Sequence, residues 1–198
     1  MLISILTFQG FNELDSFIAL GVLNRIKKPD WHVKICCPEE VVTSMNGVKV
    51  MAQSRLDEVK SSDVVIVGSG IQTREVVQNA EIMAQLKLDP MRQLISAQCS
   101  GTLVLAKLGL LGQIPACTDL TTKPWVQEAG VEVLNQPFFA KDNIATAGGC
   151  FSSLYLAAWV IAKTEGVKAA AEAIYYVAPV GEKEESVARA MHNIERFI

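Results

Sequence analysis

The sequence predicts a single α/β domain in which a mainly parallel sheet carries helices on both faces. Three observations lead there. Short β-rich runs alternate with segments of helical periodicity, the connections between them are short, and the strand-like runs DVVIV (63–67) and QLISAQ (93–98) lack polar alternation. A strand with water on one face alternates polar and apolar side chains. One buried on both faces, as in a parallel sheet, reads as a continuous apolar run.

The elements follow in order. Residues 2–8 are a β-rich run, and after the break Gln9-Gly10-Phe11-Asn12 the positions Leu14, Phe17, Ile18, Leu20 and Val22 fall at helical spacing. Residues 32–37 read as the next strand. Residues 41–51 read as a hairpin, because Asn46-Gly47 at their centre suits a two-residue turn with positive φ. The strand 63–67 ends in Gly68-Ser69-Gly70. A helix over 73–86 is followed by Pro90, a strand over 93–98 runs straight into Cys99, and GTLVLAKLGLLG (101–112) is helical with Gly109 and Gly112 placed to end it. Short strands are expected at 131–133 and 143–147, an almost wholly apolar central helix at 150–162, and helices with polar faces at 168–177 and 183–197. No repeat, low-complexity segment or linker divides residues 1–198.

The chain has 198 residues, 50% hydrophobic and 20% charged. A chain of this length should bury roughly 70% of the surface its unfolded form exposes, so it needs no staple to fold. Its net charge of -3 argues against nucleic acid or an anionic membrane as a partner. The opening MLISILTFQG has no basic stretch and too short an apolar run for a signal peptide, and no apolar run reaches the ~18 residues of a membrane span. A cytoplasmic location is expected. Five cysteines at irregular spacing, without a CxxC pair and with only two histidines, predict neither a disulfide framework nor a metal site. No cofactor is expected either.

In a parallel α/β sheet, ligands sit beyond the carboxyl ends of the strands. That rule selects residues 9–15, 68–73, 98–101 and 147–150. Within them Cys99 stands between an apolar strand and a helix that opens with Ser100-Gly101, a strand–nucleophile–helix elbow. A thiol at a helix N-terminus is expected to be activated as thiolate. The N–H groups of Ser100 and Gly70 are candidates for a hole that holds developing negative charge. Glu13 and Asp15 are the candidate acids. The alternative for Asp15 is a capping role, since it lies three residues after the candidate N-cap Asn12. Cys36, Cys37, Cys117 and Cys150 read as packing residues, and His32 and His192 lie away from the predicted sheet edge. Trp125, Phe138 and Phe139 read as core or interface aromatics, with the walls of a pocket over Cys99 as the alternative.

These segments together resemble the ThiJ/PfpI family of the class I glutamine amidotransferase-like superfamily. SAQCSGTLVLAKLGLLGQIPACTDL is similar to its elbow cysteine, helix, Gly-rich exit and threonine-rich strand. ILTFQGFNELDSF, DVVIVGSG and NIATAGGCFSSLYLAAWVI resemble, in order, its first strand with an acidic helix start, its strand ending in Gly-Gly, and its late Ala-Gly turn with core helix. The resemblance implies a flavodoxin-like three-layer sandwich, a homodimer, and Cys99 as nucleophile. Asp15 after Leu14 is similar to the isocyanide hydratase branch, although the Gly-Pro pair of that branch is absent. Cys117-Thr118-Asp119-Leu120 stands where the family carries Thr-Thr-His-Trp, so Asp119 takes the histidine's place.

The resemblance therefore implies a cofactor-independent cysteine enzyme that adds water to an isocyanide, with Cys99 attacking carbon and Asp15 handling the proton. Ser100 and Gly70 would orient the polar end, with Glu13, Asp119 and Thr118 as further candidates. Two other readings share the cysteine: a glyoxalase or deglycase acting on reactive carbonyls, and a redox or small-molecule sensor. A small-molecule substrate is the expected partner in the enzyme readings.

Overall fold

The computed structural model describes all residues, Met1–Ile198. The strands are β1 (Leu2–Leu6), β2 (His32–Cys37), β3 (Val41–Thr43), β4 (Lys49–Met51), β5 (Ser54–Arg55), β6 (Val64–Val67), β7 (Leu94–Gln98), β8 (Phe138–Lys141) and β9 (Ile144–Ala147). The helices are α1 (Glu13–Leu23), α2 (Thr73–Gln78), α3 (Ala80–Gln85), α4 (Gly101–Lys107), α5 (Lys123–Glu128), α6 (Ser153–Glu165), α7 (Val167–Val177) and α8 (Lys183–Ile194). Short 3-10 turns occupy Leu56–Ser61, Cys150–Ser152 and Glu195–Phe197.

Seven strands form one sheet in the order β5-β2-β1-β6-β7-β9-β8, and β3 pairs with β4 in a separate hairpin. Only β8 breaks the parallel arrangement, running antiparallel to β9. The period-two geometry of a strand explains the apolar runs. In β6, Val64 and Ile66 enter one core while Val65 and Val67 enter the other, and in β1 Ile3 and Ile5 oppose Leu6. The first core also takes residues from α1, α6, α7 and α8, and the second from α2, α4, α5 and the Leu56–Ser61 turn. This is the flavodoxin-like three-layer α/β sandwich expected. At ~1.5–3 kcal/mol for each large side chain fully buried, both cores contribute strongly to stability.

Register positions the functional edge. Leu6 pairs with Val67, Val67 with Ala97, and Gln98 with Ala147, so β1, β6, β7 and β9 end level with one another. The Cys99 N–H extends the ladder by one bond, donating to the Ala147 carbonyl at 2.8 Å. Segments distant in sequence thus converge just beyond the strand ends.

Several boundaries differ from expectation. The 73–86 helix is two helices, because the Asn79 side chain accepts the N–H groups of Glu81 (3.0 Å) and Ile82 (3.1 Å) and starts a new helix. The hairpin pairs Thr43 with Lys49, so its connection is longer than two residues and only Gly47 takes positive φ. Residues 131–133 contribute one bridge, Ala116 to Val133, rather than a strand. The apolar helix begins at Ser153, after a 3-10 turn. Strands β5 and β8 and helix α5 are additions to the expected set.

Candidate active site

Cys99 follows β7 directly and has φ 47, the left-handed region that costs a non-glycine residue roughly 1–2 kcal/mol. Surrounding bonds hold it there. Its carbonyl accepts the Thr102 N–H at 3.1 Å and the Thr118 hydroxyl at 2.8 Å. The elbow also needs Gly101, since a Cβ there would lie 2.4 Å from the Val67 carbonyl oxygen and 2.7 Å from that of Gly68. Thr118 is therefore a support of the elbow backbone.

Asp15 reaches the elbow from the first turn of α1. Asn12 caps that helix, accepting the Leu14 N–H at 3.1 Å, but Asp15 does not complete a capping box. Its carboxyl is buried, with Oδ2 accepting the Ser69 hydroxyl and Oδ1 left without a hydrogen-bond partner. A carboxylate oxygen of Asp15 and the sulfurs of Cys99 and Cys150 all lie within 4.8 Å of one another. Glu13 faces elsewhere. It accepts the Ser44 hydroxyl and the Asn46 amide (2.9 Å), which ties α1 to the β3–β4 hairpin, and those bonds lower its pKa.

The electrostatics correct one expectation. Helix-terminal activation was expected to favour the Cys99 thiolate, yet burial, then the neighbouring Asp15 charge, push its pKa far up. The helix it precedes is only seven residues long, too weak a dipole to offset desolvation of a sulfur anion. Burial also raises Asp15, opposed by the Ser69 hydrogen bond and by the nearby Cys150 and Cys99 thiols. Two acidic groups thus compete for one buried charge, and the carboxyl loses its proton before the thiol.

Cys150 is a second correction. Expected to be a packing residue, it is half-buried beside Asp15 and Cys99, and it accepts a hydrogen bond from Asn12 Nδ2 at 3.2 Å. Gln98 does the same for Cys99, with Nε2 3.3 Å from Sγ and 2.8 Å from the Gly149 carbonyl oxygen. The paired hole expected from Ser100 and Gly70 does not form in that way. The Gly70 N–H donates to Ser100 Oγ at 3.0 Å, and Ser100 Oγ also lies 2.7 Å from Thr73 Oγ1. That leaves the Ser100 backbone N–H as the candidate donor at the elbow.

Asp119 caps a turn, accepting the N–H groups of Thr121 and Thr122 at 2.9 Å each, and its charge disfavours further negative charge on Asp15 and Cys99. His32 opens β2 at the opposite sheet edge, and His192 lies in the last turn of α8. A cleft of ≈ 450 Å³ adjoins the site, lined by residues that include Thr118, Asp119, Gln136, Gly148 and Gly149. A larger groove of ≈ 650 Å³ lies over α1, α6, α7 and α8 and contains neither Asp15 nor Cys99, so it is not where nucleophilic chemistry would occur. Leu14, Ile71, Leu120 and Phe151, next in sequence to Asp15, Gly70, Asp119 and Cys150, are exposed. Phe138 packs in the core against Trp159, Phe139 against Phe197, and Trp125 beneath the Arg74 guanidinium. Two thiols and a carboxylate also form the one donor set in the chain suited to a soft cation.

A family model described as the DJ-1/PfpI family matches residues 1–163. Among solved structures, DJ-1beta of Drosophila melanogaster superposes with a TM-score of 0.77 at 20% identity, covering 89% of this chain and 96% of its own. A ThiJ/PfpI family protein from Pseudomonas syringae superposes at 0.77 with 16% identity, covering 98% and 88%. An oxidized DJ-1 of Toxoplasma gondii superposes at 0.76 with 20% identity, covering 89% and 97%. No curated protein sequence matches the chain.

Proposed function

The chain belongs to the DJ-1/PfpI family, and from that premise we propose that it is a cofactor-independent cysteine enzyme that hydrates a small isocyanide to an N-formamide. The supporting observation is the close placement of a nucleophilic sulfur and a buried carboxyl with one oxygen unpartnered, Cys99 and Asp15. An isocyanide makes an unusual demand: its terminal carbon accepts both the nucleophile and a proton. An acid beside the nucleophile serves both ends of that step.

The proton balance follows from the pKa order. Asp15 carboxylate takes the Cys99 thiol proton as the sulfur attacks carbon, then gives the same proton to that carbon. A thioimidate, R–N=CH–S–Cys99, results. Water adds to its carbon, the carbon–sulfur bond breaks, and Cys99 leaves with a proton to regenerate the thiol and release R–NH–CHO. In this reading the Ser100 N–H is the donor that stabilises charge at the elbow. With both histidines remote and Asp119 engaged in capping, carbonyl chemistry that needs a histidine base has less support. In this reading the partners are a small-molecule substrate and a second copy of the chain.

The test is to incubate purified protein with para-nitrophenyl isocyanide and follow the formamide by mass spectrometry. Turnover that is lost in Cys99→Ala supports the reading. Absence of formamide, or full turnover by Cys99→Ala, overturns it.

A further inference from the structure

Five cysteines occur in the chain, and only two share a site. Cys36 Sγ donates to the Arg55 carbonyl at 3.1 Å, its neighbour Cys37 points into the opposite core, and Cys117 is fully buried. Cys99 and Cys150 differ from these. Their sulfurs lie within 4.8 Å of each other and of the Asp15 carboxylate, at the ends of adjacent strands β7 and β9. Each sulfur also receives an amide N–H, Cys99 from Gln98 at 3.3 Å and Cys150 from Asn12 at 3.2 Å. A side-chain amide stabilises a thiolate as it forms, and here both thiols have one.

We propose that Cys99 and Cys150 are a peroxide-reactive dithiol that closes to a reversible disulfide, with Cys99 the sulfur oxidised first and Cys150 the resolving thiol. The Asp15 carboxylate takes the Cys99 proton, the sulfur attacks one peroxide oxygen, and the O–O bond breaks. The departing alkoxide or hydroxide takes the proton from Asp15, leaving Cys99 as sulfenic acid. Asp15 then takes the Cys150 proton. The Cys150 sulfur attacks the Cys99 sulfur, the S–O bond breaks, and hydroxide leaves as water with that proton. Overall, two thiols and a peroxide yield a disulfide, an alcohol or water, and one further water.

The local chain permits closure. A disulfide needs sulfurs at about 2.05 Å, so the pair must approach. Cys150 sits on a three-residue 3-10 turn after Gly149, whose φ of 87 marks a backbone position without side-chain restraint, and it is the least buried of the five cysteines. Cys99 is anchored by the elbow, so Cys150 is the partner that moves. The Asp15 oxygen without a hydrogen-bond partner gives the two successive thiol protons a common acceptor. This proposal extends beyond hydration and does not depend on it, because its readout is a linked peptide rather than formamide.

Trypsin cutting after Arg92, Lys107, Lys141 and Lys163 places Cys99 in peptide 93–107 and Cys150 in peptide 142–163. Wild-type protein is treated with hydrogen peroxide, its free thiols are alkylated, and the non-reduced digest is weighed. The expected product is the two peptides joined, two hydrogens below their summed mass and abolished by dithiothreitol. Cys150→Ser is expected to lose the link and expose Cys99 sulfenic acid to dimedone, and Asp15→Asn to slow link formation. The proposal is overturned if Cys99 of the wild type proceeds to sulfinic acid while Cys150 stays fully alkylated. It is equally overturned if peroxide modifies neither residue.

Discussion

Ser69 donates its hydroxyl hydrogen to Asp15 Oδ2, while Asp15 Oδ1 remains without a partner inside the protein. The bond fixes the carboxyl in one orientation and leaves its second oxygen for chemistry. Ser69, the middle residue of the Gly68-Ser69-Gly70 turn, is thus the support of the acid.

Asp15→Asn keeps the shape of the side chain and removes its ability to exchange a proton. Loss of a positioned acid–base group typically costs 10²–10⁴-fold, and a fall in formamide turnover of about that size is expected, with the fold retained. Steady-state rates on both proteins, with circular dichroism as the control, check this.

The same substitution should change stability in a pH-dependent direction. Burial raises Asp15 above its ordinary 3.8, so the folded state binds its proton more tightly than the unfolded state does. Stability from this group is fully present below the unfolded pKa and is lost as pH rises through the folded one. Asp15→Asn, which mimics the neutral acid, should therefore melt higher than wild type at neutral pH, with the difference closing as the pH falls to 3.8 and below. Thermal melts across that range decide it.

Two glycine substitutions should act with opposite signs. A Cβ at Gly148 would lie 2.2 Å from the Thr118 carbonyl oxygen, so Gly148→Ala must displace backbone beside the site and is expected to cost about 1–3 kcal/mol. Gly21 lies within α1 with no atom inside 4 Å of the added carbon. There Gly→Ala should stabilise by about 0.5–1 kcal/mol. Urea unfolding of both variants tests the pair.

Much of this arrangement was legible in the sequence. The apolar runs of β6 and β7 announced a sheet buried on both faces, and Cys99 between a strand and Ser100-Gly101 announced the elbow. Strand β8 was harder to read: it follows Pro137, pairs only at the sheet edge, and turns through Asp142 at φ 55 without a glycine. Choosing Asp15 over Glu13 needed the β3–β4 hairpin in place, since only then does Glu13 find Ser44 and Asn46. Cys150 gave a signal in Gly148-Gly149-Cys150 at a strand end of the same edge. Its nearness to Cys99 depends on β9 pairing with β7, a relation between residues far apart in the chain. The raised Cys99 pKa was not legible, because burial of the sulfur outweighs the helix terminus that the sequence displays.

If Cys99 and Asp15 form one proton-coupled unit, site-resolved alkylation against pH will show it. Iodoacetamide labelling of peptide 93–107 should show wild-type Cys99 titrating above the ~8.5 of a free thiol. In Asp15→Asn the carboxylate charge is gone, so the Cys99 titration should move to lower pH. A Cys99 profile identical in the two proteins would mean that the two residues titrate independently.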